Sequence, residues 1–189
     1  MRDIDVRRAM ARQVLRQHAD EPDTLVLHEM GLLGGIARVD VAVINGRIQG
    51  YEIKSARDTL ARLGGQAEIY NEVFDMMTIV AAEGHIAAVV ARVPDWWGIK
   101  CATAGPRGGV RLHQLRFPKA NPEPEPASVA ALLWRPEALE ILERRGHAKG
   151  IRGKGKAVLQ GRLAERLALE DLRAEVRGAL KARKNWRAD

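Results

Sequence analysis

The sequence contains one cysteine and no long apolar run, and both absences narrow what the chain can be. With Cys101 alone, neither an intramolecular disulfide nor a cysteine-based zinc motif can form. No apolar segment approaches the roughly 18–20 residues needed to span a bilayer. Residues 1–17 are charged throughout and lack the apolar stretch of a secretory signal. We therefore expect a cytoplasmic protein that does not contact a membrane.

Charge is abundant, and it is unevenly divided along the chain. The 189 residues include 31 Lys and Arg against 24 Asp and Glu, which gives a net charge of +7. Residues 1–98 hold 11 cations and 14 carboxylates, whereas residues 99–189 hold 20 and 10, so the two parts carry −3 and +10. An acidic part joined to a basic part indicates contact with nucleic acid or another polyanion. A pair of solvated helix faces would give the same balance.

The spacing of apolar residues predicts an α/β core with a leading helix. Strand-like runs cover residues 25–29, 38–44, 47–54, 76–82, 97–102 and 110–117, and helical spacing covers 3–18, 58–74 and 84–91. Asn45-Gly46 lies between two strand-like runs and is a strong hairpin signal. Asp58 or Thr59 is expected to cap the second helix. The Gly64-Gly65 pair is costly inside a helix, so we expect that something requires small residues there.

A proline-rich segment divides the chain. Residues 118–126 contain four prolines in nine positions, which is typical of an extended linker. We therefore expect a core over residues 1–117, a linker over 118–126 and a basic helical module over 127–189. The module is predicted to contain helices over 136–145, 157–168 and 170–183, with a basic glycine-rich loop over 146–156.

Two charged residues of one predicted strand are the first sign of a functional site. Glu52 and Lys54 are two positions apart, so their side chains share one face of the strand. A buried carboxylate and a buried ammonium are costly unless they are paired or bound to a metal. A purely structural ion pair between the two residues is the alternative to a functional site.

The register of the predicted hairpin decides whether Asp40 joins Glu52. A two-residue turn at Asn45-Gly46 would place the two carboxylates on opposite faces of the sheet. One additional residue on the second strand brings them to the same face, and Gly50 is where a bulge could supply it. We therefore predict a bulge or a longer turn between residues 44 and 51.

With that register, oxygen ligands suited to a divalent cation gather on one face. Asp40, Glu52 and the Ile53 carbonyl are the ligand types that Mg²⁺ or Mn²⁺ prefers, and Glu29 could hold a second metal or complete the outer shell. Such a metal lowers the pKa of a bound water for attack on phosphorus. Lys54 beside it could orient that water or offset charge on the phosphorane.

A longer pattern surrounds these residues. Asp40 is followed twelve residues later by Glu52-Ile53-Lys54, with Glu29 upstream and Gln66-x-x-x-Tyr70 downstream. Gln66 and Tyr70, one helical turn apart, would project toward the same cleft, although Tyr70 could equally be a core residue. Together with ARVDVAVING, GYEIKSARDTLARL and PDWWG, the pattern resembles the PD-(D/E)XK nuclease superfamily, and within it a small bacterial group.

The resemblance covers residues 1–98 and implies a restriction-endonuclease-like core, in which helices flank a mixed central β-sheet. It also implies that Asp40 and Glu52 are metal ligands and that Lys54 is the catalytic lysine. Gln66 would be the accessory polar residue on the helix after that lysine.

The basic loop predicts contacts with the nucleic-acid backbone. Lys149, Arg152, Lys154 and Lys156 alternate with glycines, which let the backbone approach phosphates while the cations supply affinity. Arg57, just after the strand that carries Lys54, could contact a phosphate as well. A solvated loop without a ligand is the alternative for the basic residues.

Together these observations predict a metal-dependent endonuclease that hydrolyses phosphodiester bonds in nucleic acid, with DNA favoured and Mg²⁺ or Mn²⁺ as the cofactor. A catalytically silent DNA-binding or adaptor module on the same fold is one alternative. An RNA-directed nuclease is another. Whether the protein forms a homodimer stays open, because the sequence does not indicate an interface.

Overall fold

The computed structural model describes residues 2–18, 20–105, 108–184 and 186, which form a mixed six-stranded sheet with helices around it. The strands are β1 (Leu25–Leu32), β2 (Ala37–Ile44), β3 (Ile48–Lys54), β4 (Met76–Ala82), β5 (Gly98–Ala104) and β6 (Val110–Arg116). They lie side by side in chain order. The β3–β4 and β4–β5 pairs are parallel, and the other three pairs are antiparallel.

Helices flank this sheet and make up the C-terminal part of the described chain. They are α1 (Asp3–Gln13), α2 (Leu63–Val73), α3 (Ile86–Val90), α4 (Pro126–Ala130), α5 (Arg135–Arg144), α6 (Lys156–Arg166) and α7 (Leu169–Ala182). The prediction of an α/β fold with a mixed sheet flanked by helices, followed by a helical part, is confirmed. None of the helices in the described segments is long and apolar enough to cross a membrane.

Both faces of the sheet are buried, because successive strand residues point to opposite sides and helices cover each side. On one face, Val41 and Ile53 pack with residues of α1 such as Met10. On the other face, a single apolar cluster extends from sheet residues such as Ile48 to Leu180 of α7. The C-terminal helices therefore share their core with the sheet.

The β2–β3 hairpin has a longer turn than two residues, as predicted. Ile44 pairs with Ile48, which leaves residues 45–47 as a three-residue turn. The regular register continues to the Val41–Tyr51 pair, and the next position along it places Asp40 opposite Glu52. The two carboxylates therefore lie on the same face of the sheet, because the turn itself supplies the additional residue.

The glycines of this region have different roles from those predicted. Gly50 forms no bulge, but a Cβ there would lie 2.2 Å from the Met77 Sδ and 3.1 Å from the Phe74 ring, so the strand requires a glycine for close packing. A Cβ at Gly64 or Gly65 would meet nothing within 4 Å. No packing contact therefore requires a small residue at the Gly64-Gly65 pair, and what requires these glycines stays open.

Two predicted element ends shift for identifiable local reasons. Strand β1 continues to Leu32, past its predicted end at residue 29, because Gly31 and Leu32 still pair with β2. Helix α2 begins at Leu63 rather than near residue 58. The predicted cap at Asp58 is wrong: its carboxylate accepts a hydrogen bond from the Ser55 N–H at 2.6 Å and closes the turn that follows β3.

The proline-rich segment lies against the sheet-bearing part of the molecule. The side-chain amide of buried Asn121 donates to the Asn71 carbonyl at 2.6 Å and to the Phe74 carbonyl at 2.8 Å. The Lys119 N–H donates to the Trp96 carbonyl at 2.8 Å. These contacts attach the segment to α2 and to the turn before β5. The division into a core, a linker and a helical module at residues 117 and 126 stays a prediction.

Candidate functional site

A polar cleft of about 1040 Å³ lies at the end of the sheet where β3 ends and β2 begins. The first turns of α1 and α2 and the turns after β1 and β3 form its walls. Ten charged side chains line it: Arg7, Arg38, Lys54, Arg57, Arg62, Asp3, Glu29, Asp40, Glu52 and Asp58. The candidate residues Gln66 and Ile53 also reach the cleft, so the fold brings the strand and helix candidates of the sequence pattern together.

Glu52 and Lys54 form a buried ion pair at the floor of the cleft. Their side chains are 4% and 7% exposed, and the Lys54 Nζ donates to the Glu52 Oε1 at 2.7 Å. The Gln66 amide binds both groups: its Oε1 accepts from Lys54 at 2.9 Å, and its Nε2 donates to the Glu52 Oε1 at 2.8 Å. The pair is therefore compensated in charge and linked to α2, which explains how two ionised groups are accommodated in the core.

Tyr70 completes this network from within the core. Its ring is fully buried, and its hydroxyl lies 2.8 Å from the Glu52 Oε2 and 2.7 Å from the Arg38 carbonyl oxygen. The Gln66 Nε2 donates to the same hydroxyl at 3.2 Å. Burial, and then the negative charge of Glu52, raise the pKa of Tyr70 well above its ordinary value. Of the two roles left open for Tyr70, the structure places it in the core, where its ring is inaccessible to a nucleic-acid base.

Asp40 belongs to a second group of charges at the rim of the cleft. Its Oδ2 accepts a hydrogen bond from the Ile53 N–H at 2.6 Å, and its Oδ1 forms an ion pair with Arg7 of α1. Burial, followed by the negative charge of Glu52, raises the pKa of Asp40 to about 6. The Ile53 N–H and the Arg7 guanidinium act in the opposite direction and limit this rise.

Arg7 joins three carboxylates and was not found by the sequence analysis. Besides Asp40, its guanidinium contacts the Glu29 Oε1 at 2.7 Å and the Asp3 Oδ2 at 2.6 Å. The spacing of Asp3 and Arg7 could have indicated a local ion pair on a helix. The contact with Asp40 joins residues 33 positions apart and depends on how α1 packs on the sheet.

Glu29 has an unusual backbone conformation for its residue type. Its φ is 57°, in the left-handed region, and it interrupts the ladder between the His28–Val41 and Met30–Val39 pairs. Its side chain is 46% exposed and reaches Arg7 at the rim of the cleft. A non-glycine residue in this region of φ and ψ carries strain, which is most common at binding or switch sites.

A divalent cation would need free oxygen ligands from the carboxylates of Asp40 and Glu52. Both oxygens of Asp40 and the Glu52 Oε1 accept from protein donors, the Glu52 Oε2 lies 2.8 Å from the Tyr70 hydroxyl, and Arg7 and Lys54 supply the positive charge. Among the residues that the structure describes, no group of three His, Cys, Asp or Glu side chains is placed to hold a metal ion. These carboxylates are therefore engaged by groups of the protein itself, and the predicted Mg²⁺ or Mn²⁺ site stays a prediction.

The predicted basic loop is a turn between α5 and α6 that carries exposed cations. Lys149, Arg152, Lys154 and Lys156 are all exposed. Arg152 forms an ion pair with Glu143 at 2.8 Å. The three lysines form no ion pair with any residue in the described part of the chain. We name residues 149–156 the basic turn.

The backbone of the basic turn is held in place by hydrogen bonds from the Arg135 side chain. The guanidinium of Arg135 donates to the carbonyls of Arg152 at 2.9 Å and Lys154 at 3.1 Å. Gly146 and Gly150 have φ values of 75° and 80°, a conformation that favours glycine. The turn is therefore a defined structure that presents its lysines outward.

Two exposed arginines at the mouth of the cleft are Arg57, from the turn after β3, and Arg62, just before α2. Neither forms an ion pair within the described residues. Arg57 was a candidate phosphate contact from the sequence, whereas Arg62 was missed because it carries no recognisable motif.

The fold and the cleft define an α/β protein with a mixed sheet, a buried ion-pair network and a basic helical part. The chain belongs to the bacteriophage P4 protein cII family, whose sequence model matches residues 7–188. Among curated proteins, it is similar to protein cII of Enterobacteria phage P4, with 38% identity over 77 residues. That match covers 41% of this chain and 29% of the phage protein, so the chain spans less than a third of its curated relative. No solved structure matches the chain.

This family membership corrects the interpretation of the sequence pattern as a nuclease motif. The assignment to the PD-(D/E)XK nuclease superfamily is wrong, and so are the endonuclease function and the classification as an enzyme that followed from it. The motif of Asp40 and Glu52-Ile53-Lys54 is short, and it cannot by itself distinguish an ion-pair network from a catalytic site. In this fold Lys54 neutralises Glu52, and Arg7 neutralises Asp40.

Proposed function

We propose that the protein binds nucleic acid, with DNA favoured, as a non-cleaving binding or adaptor protein that contacts the phosphate backbone through the basic turn. The observation that carries this proposal is the set of three exposed lysines, Lys149, Lys154 and Lys156, on a turn held by backbone contacts. Lysine and arginine side chains supply most of the sequence-independent affinity of proteins for DNA.

The contrast with neighbouring cations supports this surface. On the adjacent helices, Arg144 contacts Glu175 at 2.5 Å, and Arg145 contacts the same carboxylate at 2.7 Å. These arginines are already neutralised by carboxylates of the chain, whereas the lysines of the basic turn have no such partner among the described residues. Part of the positive charge of residues 99–189 is therefore left on the basic turn, where it can meet a phosphate.

The start of α6 adds backbone donors beside the lysines. Helix α6 begins at Lys156, and its N-cap residue Gly155 has no side chain to occupy the first N–H groups. The amino-terminal end of a helix attracts anions because those N–H groups and the helix dipole point toward it. Together, the turn and the helix end favour a phosphodiester over a neutral ligand.

The cleft provides a second, weaker contact. Arg57 and Arg62 are exposed at its mouth, but five carboxylates line the same cleft as its five cations. The equal numbers of positive and negative groups predict a smaller contribution to DNA affinity there than at the basic turn. A nucleic-acid partner is consistent with the expected cytoplasmic location.

Fluorescence anisotropy with labelled duplex DNA, single-stranded DNA and RNA, across a series of salt concentrations, tests the proposal. We expect binding that weakens with salt. The triple variant Lys149→Gln, Lys154→Gln and Lys156→Gln should reduce the slope of log affinity against log salt by about 3, since each phosphate contact contributes roughly 0.9. Tighter binding of duplex DNA than of RNA is the expected order, and labelled strands should stay intact during the measurement.

A matched control removes the same number of charges from another exposed surface. Arg8, Arg12 and Arg16 follow one another along α1 and the turn after it, and all three are exposed without an ion pair in the described residues. The triple Arg→Gln variant at these positions should reduce the salt slope by at most half as much as the basic-turn variant does. An equal loss in both variants, or no measurable binding of any nucleic acid, would contradict the assignment. Cleavage of the labelled strands would contradict the non-cleaving role.

A further inference from the structure

A small pocket lies at the end of the sheet opposite the cleft. It has a volume of about 200 Å³ and is bounded by the β2–β3 turn, the residue before β4, residues 120–121 of the proline-rich segment and residues 170–177 of α7. Three arginines line it: Arg47 from the turn, and Arg173 and Arg177 from α7. Arg173 and Arg177 are four positions apart, so they lie on the same side of the helix. The pocket therefore joins cations from two distant parts of the chain.

Two carboxylates in the pocket are already engaged. The Asp75 Oδ1 lies 2.8 Å from the Arg173 Nε, and the Asp75 Oδ2 accepts from the Ile48 N–H at 2.7 Å. Glu170 lies 2.6 Å from the Arg173 Nη1. Both carboxylates therefore form their ion pairs with the same arginine, Arg173.

The other two arginines have no carboxylate partner among the described residues. Arg177 forms no hydrogen bond or ion pair within the described part of the chain. The Arg47 Nη1 contacts only the Met76 Sδ, at 3.1 Å, among those same residues. A thioether is a weak acceptor and carries no charge, so it does not neutralise a guanidinium. The pocket, lined by three arginines and two carboxylates, therefore keeps a net positive charge and two guanidinium groups without a carboxylate partner.

We propose that this pocket binds the phosphate group of an anionic ligand through Arg47 and Arg177, with Arg173 as the third wall. A guanidinium matches the geometry of a phosphate with two parallel N–H donors, and this pairing is among the strongest available to a side chain. The volume accommodates a phosphate group, and it is below the roughly 300–1,000 Å³ of sites that enclose drug-sized ligands. The site is distinct from the basic turn and does not depend on nucleic-acid binding there.

Occupation of the pocket has a structural consequence. A bound phosphate would bridge the β2–β3 turn and α7, two elements far apart in sequence. A ligand that binds the folded state alone raises the unfolding temperature. Phosphate should therefore stabilise the whole chain, since α7 shares its core with the sheet.

Thermal unfolding of the full chain with inorganic phosphate, against chloride at equal ionic strength, tests the site. Arg177→Gln and Arg47→Gln are the informative variants, because neither residue holds a carboxylate of the fold. Arg166→Gln is the control, since Arg166 is an exposed arginine of α6 without an ion pair in the described residues. We expect phosphate to raise the unfolding temperature of the unaltered chain and of Arg166→Gln by several degrees. Each pocket variant should lose at least half of that shift.

Isothermal titration with inorganic phosphate gives a second readout that does not depend on unfolding. The affinity should fall at least tenfold in Arg177→Gln, while its circular dichroism spectrum stays unchanged. An absent phosphate effect, or one equal in all variants, would overturn the proposal.

The source of the phosphate group is then separated by competition. A short DNA duplex that displaces inorganic phosphate, and that binds Arg177→Gln more weakly, would identify the pocket as a contact for the nucleic-acid backbone. Displacement by a small phosphate monoester but not by the duplex would identify a free phosphorylated ligand. Both results support the pocket as a phosphate site.

Discussion

Replacement of Lys54 by methionine isolates the charge of the buried network. Methionine keeps the unbranched side chain as far as Cε but removes the ammonium that donates to the Glu52 Oε1 at 2.7 Å. Glu52, which is 3% exposed, then stays in the core without its counter-charge. Because neither side chain can reach solvent readily, the effect of the substitution on stability should be large.

The magnitude follows from what remains around Glu52. Removal of one partner from a buried ion pair costs about 3–5 kcal/mol. Gln66 still donates to the Glu52 Oε1 at 2.8 Å, and the Tyr70 hydroxyl lies 2.8 Å from its Oε2. We therefore expect the lower end, about 3 kcal/mol. For a chain of this size that corresponds to a decrease of about 6–12 °C in the unfolding temperature.

The measurement is urea unfolding followed by tryptophan fluorescence, together with a double-mutant cycle. The single variants are Lys54→Met and Glu52→Gln, and the double variant removes both charges at once. Since the double variant leaves no isolated buried charge, it should be more stable than Lys54→Met by at least 1 kcal/mol. The dependence of unfolding free energy on urea should keep the same slope in all forms.

Two outcomes would refute the reasoning. If Lys54→Met unfolds within about 0.5 kcal/mol of the unaltered chain, the ion pair does not compensate Glu52 as the structure indicates. If the double variant loses the sum of the two single losses, the residues act independently and the network is not coupled.

Two further predictions concern the rim of the cleft. Burial, and then the charge of Glu52, raise the pKa of Asp40 from 3.8 to about 6, so the folded state holds this proton more tightly than the unfolded state. The resulting stability is fully present below about pH 4 and is lost as the pH rises through about 6. Relative to Asp40→Asn, the unaltered chain should therefore lose about 2–3 kcal/mol of unfolding free energy between pH 4 and pH 7, and equal pH profiles would contradict the shifted pKa. Glu29→Gly should be about 1 kcal/mol more stable than Glu29→Ala in urea unfolding, because alanine retains the strain of a φ of 57° and glycine does not; equal stabilities would contradict the strained conformation.

Local patterns were reliable where one interaction decides the structure. The continuous apolar run of residues 76–82 predicts a buried strand, and β4 has those bounds because hydrogen-bonded neighbours cover both of its edges. The hairpin argument also succeeded, since a side-chain period of two makes the placement of Asp40 and Glu52 on one face depend on a single residue of register.

Element ends were less predictable, because they depend on partners elsewhere in the chain. β1 continues to Leu32 because β2 supplies pairing partners beyond the predicted end. α2 starts late because Asp58 binds the Ser55 N–H and stabilises a turn in place of a first helical turn. Helix α4 was missed because its five residues begin at Pro126, inside a segment whose prolines indicate a linker.

The sequence by itself determined the α/β class and the placement of Asp40, Glu52 and Lys54 on one side of the sheet. Only the tertiary structure decided what those charges do. Arg7 reaches Asp40 across 33 positions, and α2 brings Gln66 and Tyr70 onto Glu52. The energy of a charge depends on its distance from other charges and on its burial, and packing between distant segments sets both. The same motif therefore becomes a neutralised network in this fold, and cations without a carboxylate partner lie elsewhere, among them the lysines of the basic turn and two arginines of the pocket at the other end of the sheet.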